Sequence, residues 1–222
     1  MRRMPVPTRR EAARAFLSLE PATWSMRHAC AVADVAAWLA RAASGRGVSV
    51  DVAAVEAAAL LHDVDKVAGR GPDVRHGDGS ASWLEAHGFA ELAPLVRDHP
   101  VTRLADDADA ARLAAAPIEA RIVAYADKRA GQRLESMDDR FASWRRRYPA
   151  GPADPAPADA AANETAAGER PAGKRGWDHE LAERVYERAL ELERDICSAA
   201  GVDPGAVRRL RWSRRALAEA RR

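Results

Sequence analysis

Apolar residues in this chain recur at steps of three and four, and no segment alternates in the two-residue rhythm of a half-buried strand. That periodicity predicts an all-α fold, a bundle of packed helices. Composition agrees: 47% of the 222 residues are hydrophobic, much of that alanine, while aromatics are only 5%. Alanine is the strongest helix former, and so little aromatic content favours helices over sheets. The spacing predicts a short helix over 10–19 and a longer one over 25–43, where Val32, Val35 and Leu39 form a stripe that His28 joins and Cys30 does not. Asp51 suits the N-cap of a helix running through Val52, Val55 and Ala59 to His62. After a loop rich in glycine, Asp78 or Ser80 is expected to cap a helix carrying Trp83 and Leu84. The stretch "FAELAPLVRDHP" reads as a helix stopping at His99, because Pro100 disfavours helical geometry in the residue before it. "LADDADAA" reads as an acidic loop, and Pro117 opens a helix through Ile118, Ile122 and Val123 to Asp127.

Residues 149–176 hold five of the thirteen prolines and no Leu, Ile, Val or aromatic residue. Such a stretch buries too little apolar surface to offset its ordering entropy, so a mobile loop or linker is expected there. It divides a core over 1–148 from C-terminal helices over 177–222. The first of these carries Leu181, Val185, Ala189, Leu192 and Ile196 on one face, and is expected to pack back onto the core. A net charge of +2 projects no global field toward nucleic acid or an acidic membrane. No apolar run approaches the roughly 18 residues that a membrane span needs, and the N-terminus lacks a secretory apolar stretch, so a cytoplasmic protein is expected. Cys30 and Cys197 form no metal knuckle; each is expected to be a small buried residue.

One segment strains against this apolar pattern. "ALLHDVDK", residues 59–66, ends an apolar helix with an imidazole, two carboxylates and an ammonium. His28, His62, Asp63 and Asp127 fall on the inward or terminal parts of three helices, and His76 and His99 lie at loops or helix ends between them. Imidazole nitrogens with carboxylate oxygens suit borderline divalent ions such as iron, manganese, zinc or cobalt. A cation also removes the cost of burying the carboxylates. Singly, each residue has a plainer reading: a histidine on an apolar face is more often a hydrogen-bonded core residue, and Asp127 suits a nearby arginine.

Taken in order, His28, then His62-Asp63, then Asp127 on an all-helical chain resembles the HD superfamily of metal-dependent phosphohydrolases, and "HDVDK" matches its His-Asp-x-x-Lys form. His76 in "RHGDGS" and His99 in "RDHP" are similar to the extra histidines of its two-metal subset, and "IVAYADKRAGQRLESMDDRFASWRRRYP" resembles the segment around the last aspartate. The resemblance implies an HD-like helical bundle with one or two divalent transition metals (Fe, Mn, Zn or Co). His28, His62, Asp63 and Asp127 would hold one ion, and Asp63 would bridge to a second held by His76 and His99. It implies hydrolysis of a phosphoester or phosphoanhydride in a small nucleotide, such as a dinucleoside polyphosphate, a nucleoside monophosphate or a cyclic nucleotide. Lys66 is expected to hold a phosphate oxygen, an inference strengthened by lysine occurring only at 66, 128 and 174 in a chain that otherwise uses arginine. Lys128, Arg129 and Arg133 are further candidates for the substrate, although Arg129 and Arg133 equally suit ion pairs. Asp65 reads as a partner of a ligating histidine or a solvent-facing residue.

Two other classes compete with this reading. One is a non-catalytic HD module that binds a nucleotide or a protein partner around a structural metal. The other is an HD-type nuclease or RNA-processing enzyme using "VRRLRWSRRALAEARR", where seven arginines face one glutamate around Leu210, Trp212 and Leu217. That stretch is expected to be a solvated helix, so nucleic acid is not favoured as a partner.

Overall fold

The computed structural model describes residues 6–131, 133–147 and 177–213. The linker expected over 149–176 and the terminal arginines from Arg214 onward lie outside the described residues. Among those described, all regular structure is helical apart from an isolated antiparallel bridge between Ala130 and Leu134.

Helix α1 (Arg9–Leu17) starts from a reciprocal cap, in which Thr8 accepts from the Glu11 amide and the Glu11 carboxylate accepts from the Thr8 amide. Helix α2 (Thr23–Gly45) buries Val32, Val35, Ala36, Leu39, Ala40 and Ala43. Helix α3 (Val52–Leu61) begins at Asp51, whose side chain accepts from the Ala54 amide. Its sequence VAAVEAAALL is apolar nearly all round, and Ala57, Ala58, Ala59 and Leu61 are fully buried. Only a central helix can hide apolar side chains on every side. Accordingly α1, α2, α6 (Ala93–Val96) and α8 (Ile118–Arg129) all pack against it. Alanine on the facing surfaces of α2 and α3 lets the two backbones approach closely, and α3 delivers His62 from its C-terminus to the middle of the molecule.

Short helices α4 (Val64–Ala68), α5 (Asp78–Ala86) and α7 (Asp107–Ala114) surround that end, and α9 (Met137–Arg147) follows α8. Helix α10 (His179–Ala200) buries Val185, Ala189, Leu192 and Ile196 against α2 and α8. A polar lock accompanies this contact. Arg129, fully buried at the end of α8, donates to Glu193 and the Tyr125 hydroxyl, to the Glu135 carbonyl at 2.7 Å and to the Pro204 carbonyl at 2.9 Å.

The structure corrects four expectations. The helix expected to reach His99 ends at Val96, and Arg97 and Asp98 form a turn before Pro100. "LADDADAA" is mostly helix: Asp106 caps α7 by accepting from the Asp109 amide, and acidic residues in the first turn suit the helix dipole. Neither Asp78 nor Ser80 caps α5. Asp78 lies inside its first turn and is drawn to Arg75 and Arg103, while the Ser80 hydroxyl accepts from the Asp65 amide. Cys30 is exposed, because two residues beyond His28 it falls on the far side of α2; Cys197 is buried.

Removing one partner of a buried ion pair strands the other charge. Arg129→Ala is therefore expected to lower the unfolding free energy by about 3–5 kcal/mol in urea titrations. A loss below about 1 kcal/mol, the range of surface pairs, would mean that α10 is held by its apolar face alone.

Candidate metal centre

Helix α3 stops because Asp63 leaves helical geometry, with φ −103° and ψ 19°, before α4 restarts the coil. The break gives two consecutive residues different outlooks: His62, the last cap of α3, and Asp63 occupy one buried space that four other segments also enter. Helix α2 contributes His28, the loop after α4 contributes His76, the turn after α6 contributes His99, and the last turn of α8 contributes Asp127.

These six side chains form two sets that share Asp63. In the outer set the Nε2 atoms of His28 and His62 are 3.2 Å apart. The Oδ2 of Asp63 lies 3.4 Å from His28 and 3.5 Å from His62, and the Oδ1 of Asp127 lies 3.2 Å and 3.6 Å from the same two nitrogens. In the inner set the Oδ1 of Asp63 lies 3.1 Å from His76 Nε2 and 3.2 Å from His99 Nε2, and those nitrogens are 3.1 Å apart. Ligands about 2.0–2.2 Å from a tetrahedral or octahedral ion are separated by about 2.9–3.6 Å, the range that both sets occupy.

Backbone bonds fix the rings. His62 Nδ1 is 2.7 Å from the Ala59 carbonyl and His99 Nδ1 is 2.6 Å from the Val96 carbonyl. Carbonyl oxygens only accept, so both Nδ1 atoms carry protons and both Nε2 atoms turn to the centre. His76 Nδ1 donates to the buried carboxylate of Asp65 at 3.0 Å. Imidazole nitrogens and carboxylate oxygens converging at these distances are the donor set that suits a borderline divalent cation.

The charges lean the same way. Burial opposes ionisation of Asp63, yet Lys66 and His62 hold its carboxyl well below the usual range. Burial likewise opposes ionisation of Asp127, and bonds to His28 and His62 prevail. His62 is pushed up to about 10, since the two carboxylates outweigh the burial that disfavours its charge. His99 moves oppositely, to about 4: burial dominates, and Asp63 offsets it only partly.

The centre opens on one side. His28, Asp127 and Lys66 keep 15%, 18% and 24% of their side-chain surface exposed, whereas His62, His76 and His99 are closed off. Lys66 sits at this mouth with its ammonium 3.0 Å from the Oδ2 of Asp63. Two residues expected at the substrate are placed otherwise. Lys128 is fully buried and donates to the carbonyls of His99 at 2.9 Å and Ala124 at 3.1 Å, and burial lowers its pKa to about 8. It braces His99. Arg129 is spent in the lock to α10. Arg133 is exposed and pairs with Glu135 at 2.9 Å.

Two glycines are required by this packing. Gly77 has φ +85°, and a Cβ there would lie 2.2 Å from the Arg97 carbonyl; at Gly79 a Cβ would lie 2.8 Å from the Oδ2 of Asp65. They let α5 close over the His76–Asp65 pair. Sequence reasoning passed over another group, Arg103, Asp109, Arg112 and Asp98, which borders the inner set. Its one visible signal was the three-residue spacing of Asp109 and Arg112, hidden because the stretch read as a loop.

Residues 26–131 match the model of the HD domain, and that segment belongs to the HD superfamily. No curated protein and no solved structure matches it significantly. The matched residues contain all six side chains of the two sets, and no described helix is long and apolar enough to cross a membrane.

Asp65→Ala removes the acceptor that fixes the His76 ring. Nitrogen-15 NMR of the histidines is expected to show His76 with its proton on Nδ1 in the wild type and a mixture of tautomers in the variant. An unchanged His76 signal would show that Asp65 does not set its orientation.

Proposed function

We propose that this chain is a two-metal phosphohydrolase acting on a small phosphorylated nucleotide. The observation that carries the reading is the split of the Asp63 carboxylate, one oxygen facing each pair of histidines, as expected of a bridging ligand. His28, His62, Asp63 and Asp127 would hold one ion, and Asp63, His76 and His99 the other. Bound there, divalent ions supply water acidified toward neutrality and screen the charge of phosphoryl oxygens.

The remaining work falls to the protein. Substrate enters past His28, Asp127 and Lys66, the exposed rim. Lys66 then exchanges part of its pairing with Asp63 for a non-bridging phosphate oxygen, serving as a compact point charge. The carbonyls of Ala59 and Val96 hold two of the imidazoles in register, so little reorganisation is needed when phosphate arrives. Iron, manganese, zinc and cobalt share these ligands. Dinucleoside polyphosphates are the first substrates to try, followed by nucleoside monophosphates and cyclic nucleotides.

Elemental analysis of protein purified without chelator is expected to find two equivalents of transition metal per chain, none in Asp63→Ala and about one in His99→Ala. A wild-type chain that neither carries metal nor takes it up would make this a non-catalytic HD module. Lys66→Ala, fully loaded, is expected to lose about 10²-fold in nucleotide turnover, the loss typical of removing one charge-stabilising group. Wild-type turnover in that variant would remove Lys66 from the mechanism.

Proton release separates the two sets. His62, raised to about 10, holds its proton at pH 7 and must lose it to become a ligand, whereas His99, lowered to about 4, is already neutral. Filling the outer set is thus expected to release about one proton from His62, and its affinity falls as pH falls below 10. Filling the inner set releases none from His99 above pH 4. Calorimetry in buffers of different ionisation heat measures the difference; equal release at both steps would contradict it.

A further inference from the structure

The inner histidines are each preceded by a charged residue, Arg75 before His76 and Asp98 before His99, and both lead to the same place. Asp109, buried on α7, accepts from Arg75 at 2.8 Å and from Arg103 at 3.2 Å through its Oδ2, and from Arg112 at 2.6 Å through its Oδ1. Arg103 is itself buried and donates 2.9 Å to the backbone carbonyl of His76, with Asp78 at 2.8 Å as its second carboxylate. Arg112 forks onto both oxygens of Asp98, at 2.8 Å from Nε and 2.6 Å from Nη2. One carboxylate therefore ties the backbone of His76 to the residue before His99. Among the described residues, none of these bonds ends on His28, His62 or Asp127.

We propose that Asp109 is a positioning residue for the inner set: through Arg103 and Arg112 it holds the His76 and His99 segments at the separation where both Nε2 atoms reach one oxygen of Asp63. The inference rests on the two-metal reading above and adds that helix α7, which supplies no ligand, governs the second ion and leaves the first alone. The physical reason lies in burial. Arg103 has almost no access to water, so loss of the Asp109 charge leaves its guanidinium undercompensated and pulls it toward Asp78, away from the His76 carbonyl. Arg112, itself on α7, keeps Asp98 but loses the i,i+3 carboxylate that fixes the orientation of its guanidinium. The segments carrying His76 and His99 become free to separate, and the joint approach of both Nε2 atoms to the Oδ1 of Asp63 depends on their not doing so.

The test uses full-length chains stripped by chelator and titrated calorimetrically with zinc, with elemental analysis of the loaded protein. Asp109→Asn is expected to weaken the second equivalent by about ten-fold or more while the first binds as in wild type. Arg112→Gln, at a position whose side chain is 46% exposed, is expected to weaken the second equivalent less. Asp195→Asn, which breaks a surface pair with Arg121 on α8, serves as the control and should change neither step. Nitrogen-15 spectra should show the His76 and His99 signals displaced in Asp109→Asn and those of His28 and His62 unmoved. Retention of both equivalents at wild-type affinity, or equal weakening of both, would overturn the proposal. Should Asp109→Asn fail to fold, Arg112→Gln decides by the same criteria. A wild-type chain that takes up a single ion would instead overturn the two-metal reading itself.

Discussion

The structure depends on the placement of the Asp63 carboxylate. It is buried, ionised and aimed at two pairs of imidazoles at once, an arrangement that neither hydrophobic packing nor hydrogen bonding alone sustains. Much of the surrounding architecture follows from that demand. An all-apolar α3 carries the residue to the centre, a one-residue break frees it from the helix, and Lys66 supplies the nearest permanent positive charge. The neighbouring histidines then divide by environment. His62, between two carboxylates, favours a proton, while His99, cut off from water and against His76 and His62, refuses one.

Support for the six central side chains comes mainly from the backbone and from charged residues that never enter the centre. Carbonyls of Ala59 and Val96 hold two rings, Asp65 holds a third, and Lys128 grips the carbonyl of His99 from behind. The two faces of α8 are thus put to different uses. Asp127 looks into the centre, and Arg129, two residues on, looks toward α10 and ties the C-terminal helix to the same element. This construction places charge where an ordinary core would place leucine, and it is stable only because nearly every buried polar atom has a partner.

Much of this was legible in the sequence, for identifiable reasons. The periodicity of Val32, Val35 and Leu39 and the alanine-rich run from Val52 to Leu61 report local backbone preference and burial, which are properties of a segment. The order of the six histidine and aspartate residues carried the family. What escaped was set by contacts between segments. "LADDADAA" reads as an acidic loop because its order comes from contacts, Asp106 capping the helix and Asp109 meeting three arginines. Lys128 and Arg129 looked like phosphate ligands because a cation beside a motif suggests a substrate, and nothing in the sequence marks that their helix positions face inward. Cys30 was assigned to the interior by residue type, although two residues beyond an inward His28 is the outer face of any helix.

The uneven exposure of the centre also makes it directional. Among the described residues, the partly exposed side chains at the centre are those of His28, Asp127 and Lys66, whereas His76 and His99 are buried behind them. On the proposed two-metal reading the outer position would be the gate and the inner one the vault: residues on α2 and the end of α8 would govern how fast ions exchange, and residues behind His76 and His99 how tightly they stay. On that reading a substrate would present its reacting group at the rim formed by His28, Asp127 and Lys66, with the rest of the molecule on the surface between α2, α4 and α8.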